Sequence, residues 1–172
     1  MRSWYMTVLK ELVNSDIKFV IAGGIAVNLL GVPRFTADLD LIVALDTGNV
    51  MEFVRCMTLL GFKPKVPVSP EAFAEPANRK LWIEEKNMRV FSFQKSDRPY
   101  EVVDVFVNEP IPFVEMWKDR ESILVEDVAI PVISVEHLIQ LKRDAGRLQD
   151  ISDIEALERL KEELADECNK NK

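Results

Sequence analysis

"IAGGIAVNLLGVPRFTADLDLIV" (residues 21–43) decides how this chain folds. An apolar run ends in Gly23 and Gly24, and a second apolar run carries Asp38 and Asp40 one residue apart. "IKFVIAG" (17–23) reads as a strand. "GIAVNLL" (24–30) reads as a short helix stopped by Gly31, with Pro33 blocking its continuation. "DLDLIVAL" (38–45) is the next strand. Side chains alternate along a strand, so Asp38, Asp40 and Ile42 share one face and Leu39, Leu41 and Val43 the other. Two like charges side by side repel and raise a pKa, a cost that an oxygen-seeking divalent ion removes. A solvated strand end is the other account, and D-x-D by itself favours it. The glycine pair likewise reads as a tight turn or as backbone that approaches an anion beside a helix N-terminus.

A third acid joins them. Asp104 stands inside "VVDVFV", on one strand face with Val102 and Phe106. Aspartate is disfavoured mid-strand and costly to bury unpaired. A metal ion or a salt bridge would offset that cost. Glu101 falls on the opposite face and reads as surface. Two familiar phosphate loops are excluded, because "GGIAVN" does not match GxGxxG and no GK[ST] follows.

Bulk properties narrow the classes further. A 172-residue chain favours one domain with a real core. The net charge of −7 leaves no overall basic footprint for nucleic acid. Arg79, Lys80, Lys86, Arg89, Lys95 and Arg98 concentrate mid-chain and read as solvated surface. Cys56 and Cys168 are far apart and form no CxxC, which fits a reducing, cytoplasmic setting. His137, the single histidine, excludes HExxH chemistry and a histidine-rich metal site. It projects to the polar side of its helix. No segment reads as a signal peptide or a membrane span.

Along the rest of the chain, residues 3–14 form an amphipathic helix with Trp4, Val8, Leu9 and Leu12 on one stripe. Residues 48–61 form a helix. "FKPKV" (62–66) is an edge strand, since Pro64 cannot donate to a ladder. Pro76 starts a helix through "ANRKLWIEE". Residues 88–95 and 100–107 are strands, and 122–134 holds a hairpin turning near Glu126 and Asp127. Helices follow at 135–146 and 151–168. Lys142 sits in the middle of the first one's apolar stripe, where it must snorkel or meet a partner. Asp150 and Asp153 suit the N-cap and first turn of the second, with Arg147 able to pair with either. The class is α+β: residues 1–133 as a core and 134–172 as helices packed on it, one compact domain.

The glycine pair, the paired aspartates on the next strand and the later strand aspartate together resemble the nucleotidyltransferase superfamily that includes DNA polymerase β. The 13-residue spacer from Gly24 to Asp38 is long for that pattern. "GGIAVNLLGVPRFTADLDLIV" and "LIQLKRDAGRLQDISDIEAL" resemble minimal bacterial members, the abortive-infection toxin and lincosamide-type groups. That resemblance implies a mixed sheet flanked by helices and a C-terminal helical pair. It implies that Asp38, Asp40 and Asp104 hold two Mg²⁺ ions, and that Gly23 and Gly24 cradle the triphosphate of an NTP such as ATP. It also implies phosphate contacts from Lys142, Arg34 and Thr36, although Thr36 reads as well as a loop-shaping residue. The activity implied is transfer of an NMP to a hydroxyl of tRNA, protein or a small molecule. An antitoxin-like or regulatory module that binds a partner protein is the alternative, and a domain of this size could also complete its cleft as a homodimer. Residues 62–98 match no motif.

Overall fold

The computed structural model describes residues 4–170. The fold is α+β, built on one mixed sheet of seven strands in the order β3-β4-β5-β2-β1-β7-β6. Helix α1 (Trp4–Asn14) buries Met6, Val8, Leu9 and Leu12. Strand β1 (Phe19–Ala22) is buried along its whole length and runs directly into α2 (Gly23–Leu29). Strand β2 (Leu39–Val43) returns antiparallel to β1. Helix α3 (Thr47–Leu59) is capped by Asp46, whose carboxylate accepts from the Asn49 amide at 3.0 Å. Strand β3 (Phe62–Pro64) lies at the sheet edge, where Pro64 is tolerated.

Helix α4 (Pro76–Lys86) starts at its proline and ends at Asn87 in a left-handed conformation. Strands β4 (Val90–Lys95) and β5 (Val102–Phe106) pair antiparallel, and β5 runs parallel to β2. Strands β6 (Glu121–Val125) and β7 (Val128–Val132) form the expected hairpin around Glu126 and Asp127. Strand β7 then pairs parallel with β1. The helical pair α6 (Val135–Ala145) and α7 (Leu148–Lys170) follows, with Leu138, Ile139 and Leu157 in the common hydrophobic core.

The two sheet faces differ. Phe93, Val103 and Leu39 are paired neighbours and share one face. Phe53 of α3 meets Phe93 edge-on at 5.9 Å, and Trp82 of α4 stacks on Phe91 at 5.0 Å. Phe53, Phe73, Phe91 and Phe93 are fully buried, each worth about 1.5–3 kcal/mol by area. The other face presents the acids.

Several expectations need correction. Helix α5 (Phe113–Asp119) has no counterpart in the sequence reading. It is a two-turn element with only Phe113 and Met116 buried, too short for a periodic signal. Helix α7 begins at Leu148 rather than 151, because the Asp150 carboxylate reaches back to the Arg147 amide at 3.3 Å and closes the first turn. Glu101 is buried rather than exposed, and Arg98 donates to it at 3.1 Å. Arg79 is also buried, donating to the carbonyls of Phe73 and Ala74 at 2.7 and 3.0 Å. His137 is half-buried beside Asp119 at 4.0 Å, not on the polar surface. Residue 3 of the expected first helix lies outside the described residues.

Candidate active site

The register of the sheet builds the site. Ser92, Asp104, Asp40 and Ala22 are successive paired positions on β4, β5, β2 and β1. Paired residues share a face, so Asp40 and Asp104 stand side by side on the acid face. Asp38 precedes β2 on the same alternation and is exposed.

Gly23 follows Ala22 directly and has φ +60°, a conformation other residues rarely adopt. A Cβ on it would lie 1.9 Å from Asp40 Oδ2. A Cβ on Gly24 would lie 2.6 Å from Thr36 Oγ1. Both glycines therefore exist to let backbone, acid and loop approach one another. Thr36 is the residue that fills the space beside Gly24.

The acids carry the electrostatic signature of an uncompensated cluster. Burial first, then the charges of Asp104 and Asp38, push Asp40 up to about 6, against smaller opposing effects of Arg147 and Lys142. Asp104 is also raised by burial, although the Ser92 hydroxyl donates to its Oδ1 at 2.5 Å and opposes the shift. Asp40 and Asp104 line a cleft of about 490 Å³, together with Ala22, Gly23, Lys142 and Arg147. Helix α6 closes its other side through Leu138, Leu141 and Ala145.

A divalent cation suits this donor set. All three side chains are hard oxygen donors, and two of them have pKa values raised by burial and mutual repulsion. As the side chains stand, no three potential ligands among the described residues converge on one point. One Asp104 oxygen is engaged by Ser92.

No protein-family model matches the chain, and no curated protein matches its sequence. Solved structures do. The lincosamide antibiotic adenylyltransferase LnuA, solved with lincomycin bound, is similar with a TM-score of 0.60 at 17% identity, over 90% of this chain and 94% of that one. A Thermotoga maritima protein assigned as a nucleotidyltransferase has a TM-score of 0.55 at 18% identity, covering 96% of each chain. ANT(2'')-Ia, in complex with adenylyl-2''-tobramycin, has a TM-score of 0.54 at 15% identity, over 94% of this chain and 95% of that one.

The chain has the nucleotidyltransferase fold. On that nucleotidyltransferase frame, the sequence resemblance and the structure agree on the sheet, the flanking helices and the helical pair. The expected cations divide between the cleft and the ion pairs behind it. Lys142 lines the cleft but is buried, and its ammonium donates to Asp150 at 3.2 Å and Asp153 at 2.7 Å. Arg34 does not line the cleft; its guanidinium bonds Asp153. Asp150 and Asp153 are thus buried ion-pair partners rather than plain helix caps, and Arg147 pairs with Asp150 at 3.1 Å.

Three residues around this cleft were not singled out from the sequence. Asn28 of α2 pins the loop before β2, donating to the Arg34 carbonyl at 2.8 Å and accepting from the Arg34 amide at 2.5 Å. Ser92 bonds Asp104, and Arg89 lines the cleft. An asparagine just before a helix stop was the one local signal available for Asn28. Ser92 and Arg89 are legible only through strand register.

Proposed function

We propose that the chain is a Mg²⁺-dependent nucleotidyltransferase that moves an NMP from an NTP, ATP foremost, to a hydroxyl acceptor and releases pyrophosphate. The observation that carries this reading is the pairing of Asp40 with Asp104 on one sheet face, with Gly23 packed against Asp40 where a side chain cannot fit. Asp38, Asp40 and Asp104 would hold two ions, which when bound neutralise phosphate charge and lower the pKa of the acceptor hydroxyl.

The residues of the chain divide the remaining work. Gly23 and Gly24 admit the triphosphate close to the backbone, and Thr36 shapes the loop over Gly24. The acceptor oxygen bonds the α-phosphorus while the bond from that phosphorus to the β-phosphate's bridging oxygen breaks. Pyrophosphate leaves with that electron pair. Asp104, at the end of the acid rung away from the glycines, is placed to take the acceptor's proton. Lys142 supplies positive potential from the cleft wall, and Arg34 fixes the loop before β2 through Asp153. A triphosphate drawing Lys142 out would compete with two carboxylates that already hold it. The similar structures solved with lincomycin and with adenylyl-tobramycin favour a small-molecule acceptor over tRNA or protein. Cys56 is buried without a disulfide, which suits the cytoplasm.

The test is to incubate the protein with Mg²⁺, each α-labelled NTP and a cell extract. Label should appear on an acceptor, and Asp38→Ala with Asp40→Ala should abolish it while the variant keeps its circular dichroism spectrum. Transfer that persists in that double variant overturns the reading.

A further inference from the structure

The acid rung does not stop at Ser92. Lys65 continues the β3–β4 pairing, its amide donating to the Ser92 carbonyl at 2.9 Å. The sequence of paired positions across five strands is therefore Lys65, Ser92, Asp104, Asp40 and Ala22. Lys63 shares the Lys65 face, because Phe62 between the sheet and α1 is buried in the core on the other side. Both lysines are exposed, and Ser92 and Gln94 beside them are only half-buried. Among the strand residues of β3, β4 and β5, Asp104 is the one acid on this face.

Position along the rung assigns a side. Neighbouring strands lie about 4.8 Å apart, so the Lys65 backbone is about 10 Å from that of Asp104 and about 19 Å from that of Ala22. The glycines stand at the Ala22 end. Lys65 stands beyond Asp104, and its charge acts on that carboxyl, lowering its pKa. Arg89, three residues before Ser92, lines the cleft beside Val90, Phe106 and Asn108. In a chain of net charge −7, Lys63 and Lys65 put two exposed cations beside this end of the acid face.

We propose that the acceptor is an anionic hydroxyl compound, and that its phosphate group rests on the open β3–β4 face against Lys65, with Lys63 and Arg89 adding to the attraction. This rests on the nucleotidyltransferase reading, since it takes the glycine end for the NTP and the Asp104 end for the acceptor. Like charge at Lys63, Lys65 and Arg89 disfavours a cationic acceptor. The chemistry is that of a phosphate ester, whether of a small sugar phosphate or of a polynucleotide end. The small number of cations and the acidic whole favour the small compound.

The probe is ribose 5-phosphate, titrated into isotope-labelled protein holding Mg²⁺ and a non-hydrolysable ATP analogue. The amides of Lys65, Ser92 and Gln94 should shift and saturate, while ribose and spermidine leave them in place. Lys65→Gln should weaken the affinity about tenfold, and Lys65→Arg should restore most of it. Saturating shifts confined to the glycine pair, no shifts at all, or equal affinity in Lys65→Gln would overturn the inference. A short RNA that shifts the same amides with a steep salt dependence supports the phosphate site and names a polynucleotide as its source. Binding of the ATP analogue is scored separately by shifts at Gly23 and Gly24. Its failure, with the Lys65 shifts intact, sinks the nucleotidyltransferase reading and leaves an anion site standing.

Discussion

Two groups of sheltered carboxylates in this molecule have opposite surroundings. On the sheet floor, Asp40 and Asp104 lie side by side, and among the described residues neither has a cationic partner within 4.0 Å. Their pKa values rise. In the helical pair, Asp150 and Asp153 are buried more deeply, yet Lys142, Arg147 and Arg34 bond them. Burial pushes Asp150 up, but Arg147 and Lys142 outweigh it and hold its carboxyl below the usual value. Burial alone therefore does not mark a working acid. The useful distinction is whether the protein itself supplies the countercharge.

That contrast can be broken most directly at Lys142. Lys142→Met leaves Asp150 and Asp153 without their shared ammonium and should cost about 3–5 kcal/mol. Thermal melting should show a fall of about 10 °C or more. A melting point unchanged from the parent protein would show that the helical pair does not depend on this ion cluster.

At Asp40 the sign should reverse. Its folded-state value of about 6 lies above the ordinary aspartate value of 3.8. The folded protein thus holds that proton more tightly, and the resulting stability is full below about pH 4 and lost as pH rises through about 6. Asp150 behaves oppositely, contributing stability above its unfolded value that is lost on acidification. Asp40→Asn should therefore stabilise the metal-free protein at pH 7.5 by about 1–3 kcal/mol and have little effect at pH 4. Urea unfolding at the two pH values measures it. Added Mg²⁺ should stabilise the parent protein at pH 7.5 and give the variant much less.

The smallest effect belongs to Ser92. Ser92→Ala removes the hydroxyl bond to Asp104 and should cost about 1 kcal/mol of stability. It should also move the Asp104 titration further up, read by carbon NMR of the carboxyl. A downward movement would mean that Ser92 does not serve the ionised form.

The sequence showed the floor of the site and concealed its roof. Gly23, Gly24, Asp38 and Asp40 lie within one short stretch, where alternation and turn chemistry can be read locally. Asp104 was legible because an acid amid valines demands an explanation. Glu101 was misplaced because alternation gives a side of the sheet, not what covers it; Arg98 meets it three residues away. Arg34 and Asp153 are 119 residues apart, so no local pattern joins them. Helix α5 was invisible because its seven residues offer too few turns to establish a period.

Asp153 accepts from both Arg34 and Lys142, tying the loop ahead of β2 to the start of α7. This link runs between parts of the polypeptide made far apart in time. As the ribosome releases the chain, the glycines and all three floor acids emerge well before the helices that anchor Arg34. Asn28 can pin the loop early, but its tie to α7 closes only when that helix arrives, so the finished cleft is assembled late in translation.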